Sequence, residues 1–172
     1  MSVIWITGVS GSGKTTLARA LRESLVQQNK RPIIIDGDEV RDALIELAQG
    51  IESFSPLSRK KFGMTYARLA KMLSDQGFIV IVATISLFHA IHAWNRRNNE
   101  TYIEVLLSVS LSDVERRDPK GLYAKSVKRG TPNIVGRDIR FQLPKSPDIE
   151  FKNFAEADLG CMVAAIIEVM GD

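Results

Sequence analysis

The sequence predicts an α/β fold, a five-stranded parallel sheet with helices on both faces. Three observations lead there. Short strand-like runs alternate with helix-like runs along the chain, a pattern that implies parallel strands joined by crossover helices. One run, "FIVIVAT" at residues 78–84, is apolar throughout, as a strand covered on both faces must be. A glycine-rich bend, "GVSGSGKT", falls between the first strand signal and the first helix signal. Open α/β sheets bind their ligands at that edge, beyond the carboxyl ends of the strands.

The elements follow in order. "VIWIT" reads as a strand over Val3–Thr7, and the helix-forming run "LARALRESLVQQ" places a helix at Lys14–Gln28. "PIIID" gives a strand at Pro32–Asp36. Asp38 stands in the N-cap position of a helix over Glu39–Gln49. A long helix is expected at Ser58–Gln76, then a strand at Phe78–Thr84, a helix at Ala90–Asn98 and a strand at Tyr102–Leu107. A short helix at Leu111–Arg116 precedes a loop-like stretch, Asp118–Pro147, holding four of the six prolines. A weaker strand signal at Ile149–Phe151 and a helix at Phe154–Met170 complete the chain. A loop of that length in a compact domain is usually functional, and above a phosphate site it reads as a mobile lid over about 117–147.

Composition narrows the function classes. At 172 residues the chain makes one domain with a full core, and 45% hydrophobic with 25% charged residues is ordinary for a globular protein. No apolar run approaches 18 residues, so no membrane helix is expected. The first residues read as a core strand rather than a signal peptide. Cys161 is the one cysteine, which excludes an intrachain disulfide and points to a reducing, cytoplasmic setting. It lies in an apolar run and reads as a core residue. Between Glu115 and Lys145 nine basic residues face three acidic ones. Few aromatics interleave them, so small nucleotides are the expected partner, not nucleic acid.

The bend carries the first chemistry. Gly8, Gly13, Lys14 and Thr15 fit G-x-x-x-x-G-K-[ST], the pattern of a P-loop NTPase. Backbone N–H groups of such a loop turn inward around phosphate oxygens, and the following helix directs its positive end at the same place. Lys14 reaches the β- and γ-phosphates, and Thr15 can ligate Mg²⁺. Gly8, Ser10, Gly11, Ser12, Gly13, Lys14, Thr15 and Thr16 are therefore expected to hold ATP. In "IIIDGDEVR", Asp36 and Asp38 end a strand facing this loop, with Arg41 one turn on. One carboxylate near Mg²⁺ and one near an acceptor hydroxyl is what phosphoryl transfer needs. Residue types alone do not say which is which.

These motifs resemble those of the adenylylsulfate (APS) kinases. "ITGVSGSGKTTLA" is similar to the family's opening, "DGDEVR" to its D-G-D-N-V-R, and "FSPLSR" in part to its F-S-x-E-D-R. "IVATIS" stands where the family has I-V-S-F-I-S-P, and "RRDPKGLYAKSVKRG" resembles its A-R-D-P-K-G-L-Y lid. The resemblance covers most of the chain. It implies Mg-ATP dependence, transfer to the ribose 3′-hydroxyl of adenosine 5′-phosphosulfate, and a homodimer. It further implies catalytic roles for Lys14, Asp36 and Asp38, with Asp36 nearer the metal. Arg41 and Arg59 would hold the acceptor's anion, Phe54 its base, and Ser86 would line the site. Lys120 and Arg117 would close from the lid, Arg117 on the ATP base.

The acceptor side departs from that pattern. After Arg59 the family has R-x-E-N-I-R-R where this chain has "RKKFGMT", so Phe62 replaces an asparagine and Met64 an arginine. A second stacking aromatic falls at Ile134, its neighbouring lysine at Pro132, and an arginine at His89. A base–aromatic stack contributes about 1–3 kcal/mol, and a charge-assisted hydrogen bond about 1.5–3 kcal/mol. Such losses imply either local compensation or a different acceptor. "TISLFHAIHAWNRRN" is similar to a branch that phosphorylates cytidine diphosphoramidate for capsule polysaccharide, an alternative acceptor. A non-catalytic nucleotide-binding module and a kinase of a small alcohol are the remaining readings. His89 and His92 share a helical face and read as surface or lid contacts.

Overall fold

The computed structural model describes residues 2–44, 55–110, 113, 142–152 and 158–171. Along the chain it contains β1 (Ser2–Gly8), α1 (Lys14–Gln27), β2 (Pro32–Asp36), α2 (Gly37–Ala43) and α3 (Pro56–Asp75). β3 (Ile79–Thr84), α4 (His89–Asn98), β4 (Thr101–Ser108), β5 (Ile149–Lys152) and α5 (Leu159–Met170) follow. The strands form one sheet in the order β2-β3-β1-β4-β5, with every neighbouring pair parallel. The predicted fold is therefore the observed one. The helix expected at Leu111–Arg116 and most of the lid lie outside the described residues.

Side-chain alternation along the strands divides the core in two. Ile4, Ile6, Ile81, Val105 and Leu107 pack with Leu17, Leu21 and Leu25 of α1 and with Met162, Val163 and Ile166 of α5. Val3, Trp5, Val80 and Val82 pack on the opposite face with Phe62, Tyr66, Ala67 and Ala70 of α3 and Ile91 of α4. The connection after β1 thus crosses to one face and that after β3 to the other. Adjacent strands whose connections diverge open a crevice at their carboxyl ends. Thr7 pairs with Thr84 and Asp36 with Ala83, so three strands end level at that crevice.

Several boundaries differ from expectation. Asp38 is not a cap: α2 begins at Gly37, and Asp36 caps it by accepting a hydrogen bond from the Asp38 N–H. α3 starts earlier than expected because Ser55 caps it by accepting from the Ser58 N–H, with Pro56 in the first turn. Cys161 is exposed, since α5 buries Met162, Val163 and Ile166 instead.

His92 is neither a surface nor a lid residue. It is buried on α4 and hydrogen-bonds through Nδ1 to Glu104 of β4, itself only 2% exposed. The Tyr102 hydroxyl donates to the same carboxyl at 2.9 Å. Arg96 donates to the other Glu104 oxygen at 3.4 Å and to Asp148 at 2.9 Å. Asp148 in turn accepts from the Glu104 N–H at 2.7 Å. A charge sealed in an apolar layer persists only when so surrounded. The network fastens α4 to β4 and to the approach of β5.

Two predictions follow from it. Glu104→Ala strips His92 and Tyr102 of their acceptor, and urea denaturation should show a loss of about 3–5 kcal/mol; a loss below about 1 kcal/mol would contradict this role. Burial, with the Glu104 carboxylate beside it, holds the Tyr102 phenol above the ordinary tyrosine value. The unfolded phenol ionises near pH 10 while the folded one keeps its proton, so above that pH the folded state binds more protons and stability falls. Urea midpoints should decline between about pH 9.5 and 11.5, and Tyr102→Phe should flatten the decline. An unchanged slope would argue against it.

Candidate active site

Gly8 ends β1 in a conformation (φ 158°) that leaves no room for a side chain. A Cβ there would sit 2.7 Å from both the Leu107 carbonyl oxygen and the Ser12 hydroxyl. The loop therefore hugs the end of β4, and Ser12 is fully buried beneath it. The Ser12 N–H donates to the Val9 carbonyl at 3.3 Å, and Gly13, left-handed at φ 91°, caps α1. Lys14 lies across the loop, its Nζ donating to Val9 O at 2.7 Å and reaching Ser12 Oγ at 3.4 Å. Ser10, Gly11, Gly13, Lys14 and Thr15 are partly exposed and Thr16 is exposed. The loop runs directly into the amino end of α1, the positive pole expected to face an anion.

The next group comes from β2. Thr15 Oγ1 donates to Asp36 Oδ2 at 2.7 Å, while Asp36 Oδ1 accepts from the Asp38 N–H at 2.9 Å. Asp36 is 7% exposed, so both oxygens are held in place. Its neighbour Asp38 is exposed in the first turn of α2. One buried carboxylate beside a threonine hydroxyl at a phosphate loop suits Mg²⁺. That ion keeps several waters and takes few protein ligands. Among the described residues no cluster of three or more His, Cys, Asp or Glu forms a metal cage.

Arg41 and Arg59 meet at the same corner. Arg41 lies 3.7 Å from Asp38. Burial first, and then the Arg41 charge, hold Arg59 below the usual arginine value, with Asp38 pulling the other way. Two guanidiniums kept close in a part-buried corner repel each other, and a bound anion relieves that repulsion. Sequence reasoning missed Tyr66, whose hydroxyl donates to Gly37 O at 2.9 Å and braces the turn between the two aspartates. Its aromatic character and α-helical spacing from Phe62 were the available signal. Phe62 and Met64, which stand where the family pattern has polar residues, belong to the apolar layer around Trp5 and Ile91.

Ser86 is buried, its hydroxyl 3.0 Å from that of Thr84. His89 contacts the far end of the predicted lid segment, its Nε2 at 2.8 Å from Leu143 O and its N–H donating to Gln142 Oε1 at 2.9 Å. Phe54, Arg117, Lys120 and Ile134 lie outside the described residues. An open hollow of about 500 Å³ flanks Arg19, Arg22 and Pro32–Ile34. It lies toward the starting end of β2, away from the phosphate loop.

The chain is similar to known proteins in sequence and in fold. A model of the adenylylsulphate kinase family matches residues 1–152. The chain is 38% identical over 166 residues to a cytidine diphosphoramidate kinase from Campylobacter jejuni, covering 96% of this chain and 94% of that protein. It is 39% identical over 157 residues to an adenylyl-sulfate kinase from Pseudomonas aeruginosa, covering 90% and 78% respectively. Among solved structures it is similar to the Mycobacterium tuberculosis APS kinase CysC in complex with AMPPNP and APS, with a TM-score of 0.88 and 29% identity over 99% of this chain and 98% of that one. A gluconokinase from Sinorhizobium meliloti, 15% identical with a TM-score of 0.60 over 98% of this chain and 95% of that one, shares the fold alone.

Gly8→Ala tests the loop. The crowding at Leu107 O and Ser12 Oγ should move the loop, reduce stability by about 1–3 kcal/mol and weaken ATP binding about ten-fold or more by calorimetry. Wild-type ATP affinity in that variant would show that the close approach is unnecessary.

Proposed function

The chain belongs to the adenylylsulphate kinase family, and from that premise we propose a Mg-ATP-dependent kinase acting on the ribose 3′-hydroxyl of a nucleotide 5′-anhydride. The observation that carries the reading is the Thr15–Asp36 hydrogen bond at the phosphate loop, with Asp38, Arg41 and Arg59 gathered on the acceptor side. Adenosine 5′-phosphosulfate is the first acceptor. It is the family's substrate, and a relative of 0.88 TM-score was solved with it.

The roles divide along the crevice. The loop from Gly8 to Thr16 would cradle the ATP phosphates, with Lys14 swinging from Val9 O toward the β- and γ-oxygens. Thr15 and Asp36 would hold the Mg²⁺, which neutralises charge on those oxygens. Asp38 would orient the acceptor hydroxyl and receive its proton. The 3′-oxygen would then bond to the γ-phosphorus as the bond to the β–γ bridging oxygen breaks, releasing ADP. Arg41 and Arg59 would grip the anionic end of the acceptor, Phe54 its base, and Ile134 would border it. Lys120 and Arg117 would reach the bound nucleotides from the lid. We carry this as one kinase domain over 1–172, cytoplasmic and homodimeric.

A second acceptor, cytidine diphosphoramidate, is favoured by one specific observation. Phe62, in place of the family's asparagine, is packed beneath Arg41 instead of presenting a polar group. A relative with that activity matches nearly the full length of this chain.

Coupled ADP release should separate the acceptors. Turnover within roughly 1–100 s⁻¹ on adenosine 5′-phosphosulfate supports the first reading. Turnover on the cytidine compound alone supports the second, and none on either sinks both. The 3′-deoxy form of the active acceptor should be inert. Lys14→Ala should lower kcat by about 10²–10³ with little change in the acceptor KM.

A further inference from the structure

The acceptor corner rests on a pair of aromatic rings that neither the phosphate loop nor the carboxylates account for. Phe62 and Tyr66, four residues apart on α3, stack with their ring centroids 6.2 Å apart and planes inclined by 29°. Tyr66 braces the β2–α2 turn through Gly37 O. Phe62, 7% exposed, carries the Arg41 guanidinium over its face, 5.4 Å from the ring centroid. Arg41 thereby spans from the ring to Asp38, 3.7 Å away.

α3 has little freedom to retreat at this point. A Cβ on Gly63, the residue after Phe62, would meet Ile91 Cδ1 at 2.6 Å and Ser86 Oγ at 2.7 Å. The helix is therefore seated at Gly63 against the side chains of Ser86, just past β3, and Ile91 of α4, which limits how far the Phe62 ring can withdraw. A guanidinium over an aromatic face is held by attraction to the ring quadrupole without using its N–H donors. The donors are left to polar partners, of which Asp38 and the Tyr66 hydroxyl stand beside Arg41.

Resting on the acceptor reading above, we infer that Phe62 is a positioning residue that acts through Arg41. Its ring sets the place of the guanidinium that receives the terminal anion of the nucleotide 5′-anhydride. An aliphatic residue of similar bulk would fill the layer and leave Arg41 placed by its polar neighbours alone. An asparagine would compete for the guanidinium's surroundings with its own amide.

The test is a double-mutant cycle on the acceptor that the wild type turns over. Phe62→Leu keeps the apolar volume and removes the ring, and should raise the acceptor KM by about three- to ten-fold. kcat and the ATP KM should stay within about two-fold, the latter showing that the fold and phosphate loop are intact. Phe62→Tyr, which keeps the ring, should restore the acceptor KM. In an Arg41→Ala background, Phe62→Leu should add nothing further, since the two act as one unit. The inference is overturned if Phe62→Leu leaves the acceptor KM unchanged, raises both KM values together, or raises the acceptor KM equally with and without Arg41. If the wild type neither binds nor turns over either acceptor, the acceptor reading has failed and this inference falls with it.

Discussion

The hydrogen bond from Thr15 to Asp36 joins the two halves of the crevice. Thr15 belongs to the loop and helix that leave β1 on one face of the sheet, and Asp36 ends β2 at the sheet's edge. β3 lies between those strands, so their ends meet only because all three are parallel and level there. The same carboxyl starts α2 by capping it, which sets Asp38 and Arg41 one turn further on. A single buried side chain thus ties the phosphate loop to the turn that carries Asp38 and Arg41. Two short hydrogen bonds orient it, and little solvent competes with them.

The two faces of the sheet serve different purposes. Under α1 and α5 the packing is aliphatic and holds the phosphate loop's helix in place. Under α3 and α4 the layer mixes rings, arginines and the Glu104 network. The corner of Arg41, Phe62 and Tyr66 grows out of this second face, across the sheet from α1. That separation gives a physical reason why the loop motif keeps the family's pattern while α3 departs from it.

Much of this was legible in the sequence. Strand order aside, the alternation of elements and the apolar run at 78–84 gave the parallel sheet, and the loop motif and "DGDEVR" marked two segments whose Thr15 and Asp36 do meet. Local signals sufficed because both motifs sit at strand ends. The capping of α2 was assigned to Asp38 because an aspartate before a helical run signals a cap; the neighbouring Asp36 does the same work from the strand end. The Glu104 network was invisible because its members, at 92, 96, 102, 104 and 148, are brought together by tertiary packing. His92 looked like a surface residue because a histidine's burial depends on its partner, and its partner lies on another strand. Cys161 failed the other way: an apolar run around it predicted burial, while the helix turned its other face inward. Phe62 looked like the loss of a polar group; its contact with Arg41 emerges only when α2 and α3 are docked.

The most direct test of the account is ATP affinity with and without Mg²⁺, in the wild type and in Asp36→Asn. If Thr15 and Asp36 form the metal side of the crevice, the wild type gains affinity on adding Mg²⁺ and the variant loses that gain while binding metal-free ATP at least as well. If both proteins gain equally from Mg²⁺, or if Asp36→Asn weakens metal-free and metal-bound ATP alike, Asp36 is a structural cap only and the central placement is wrong.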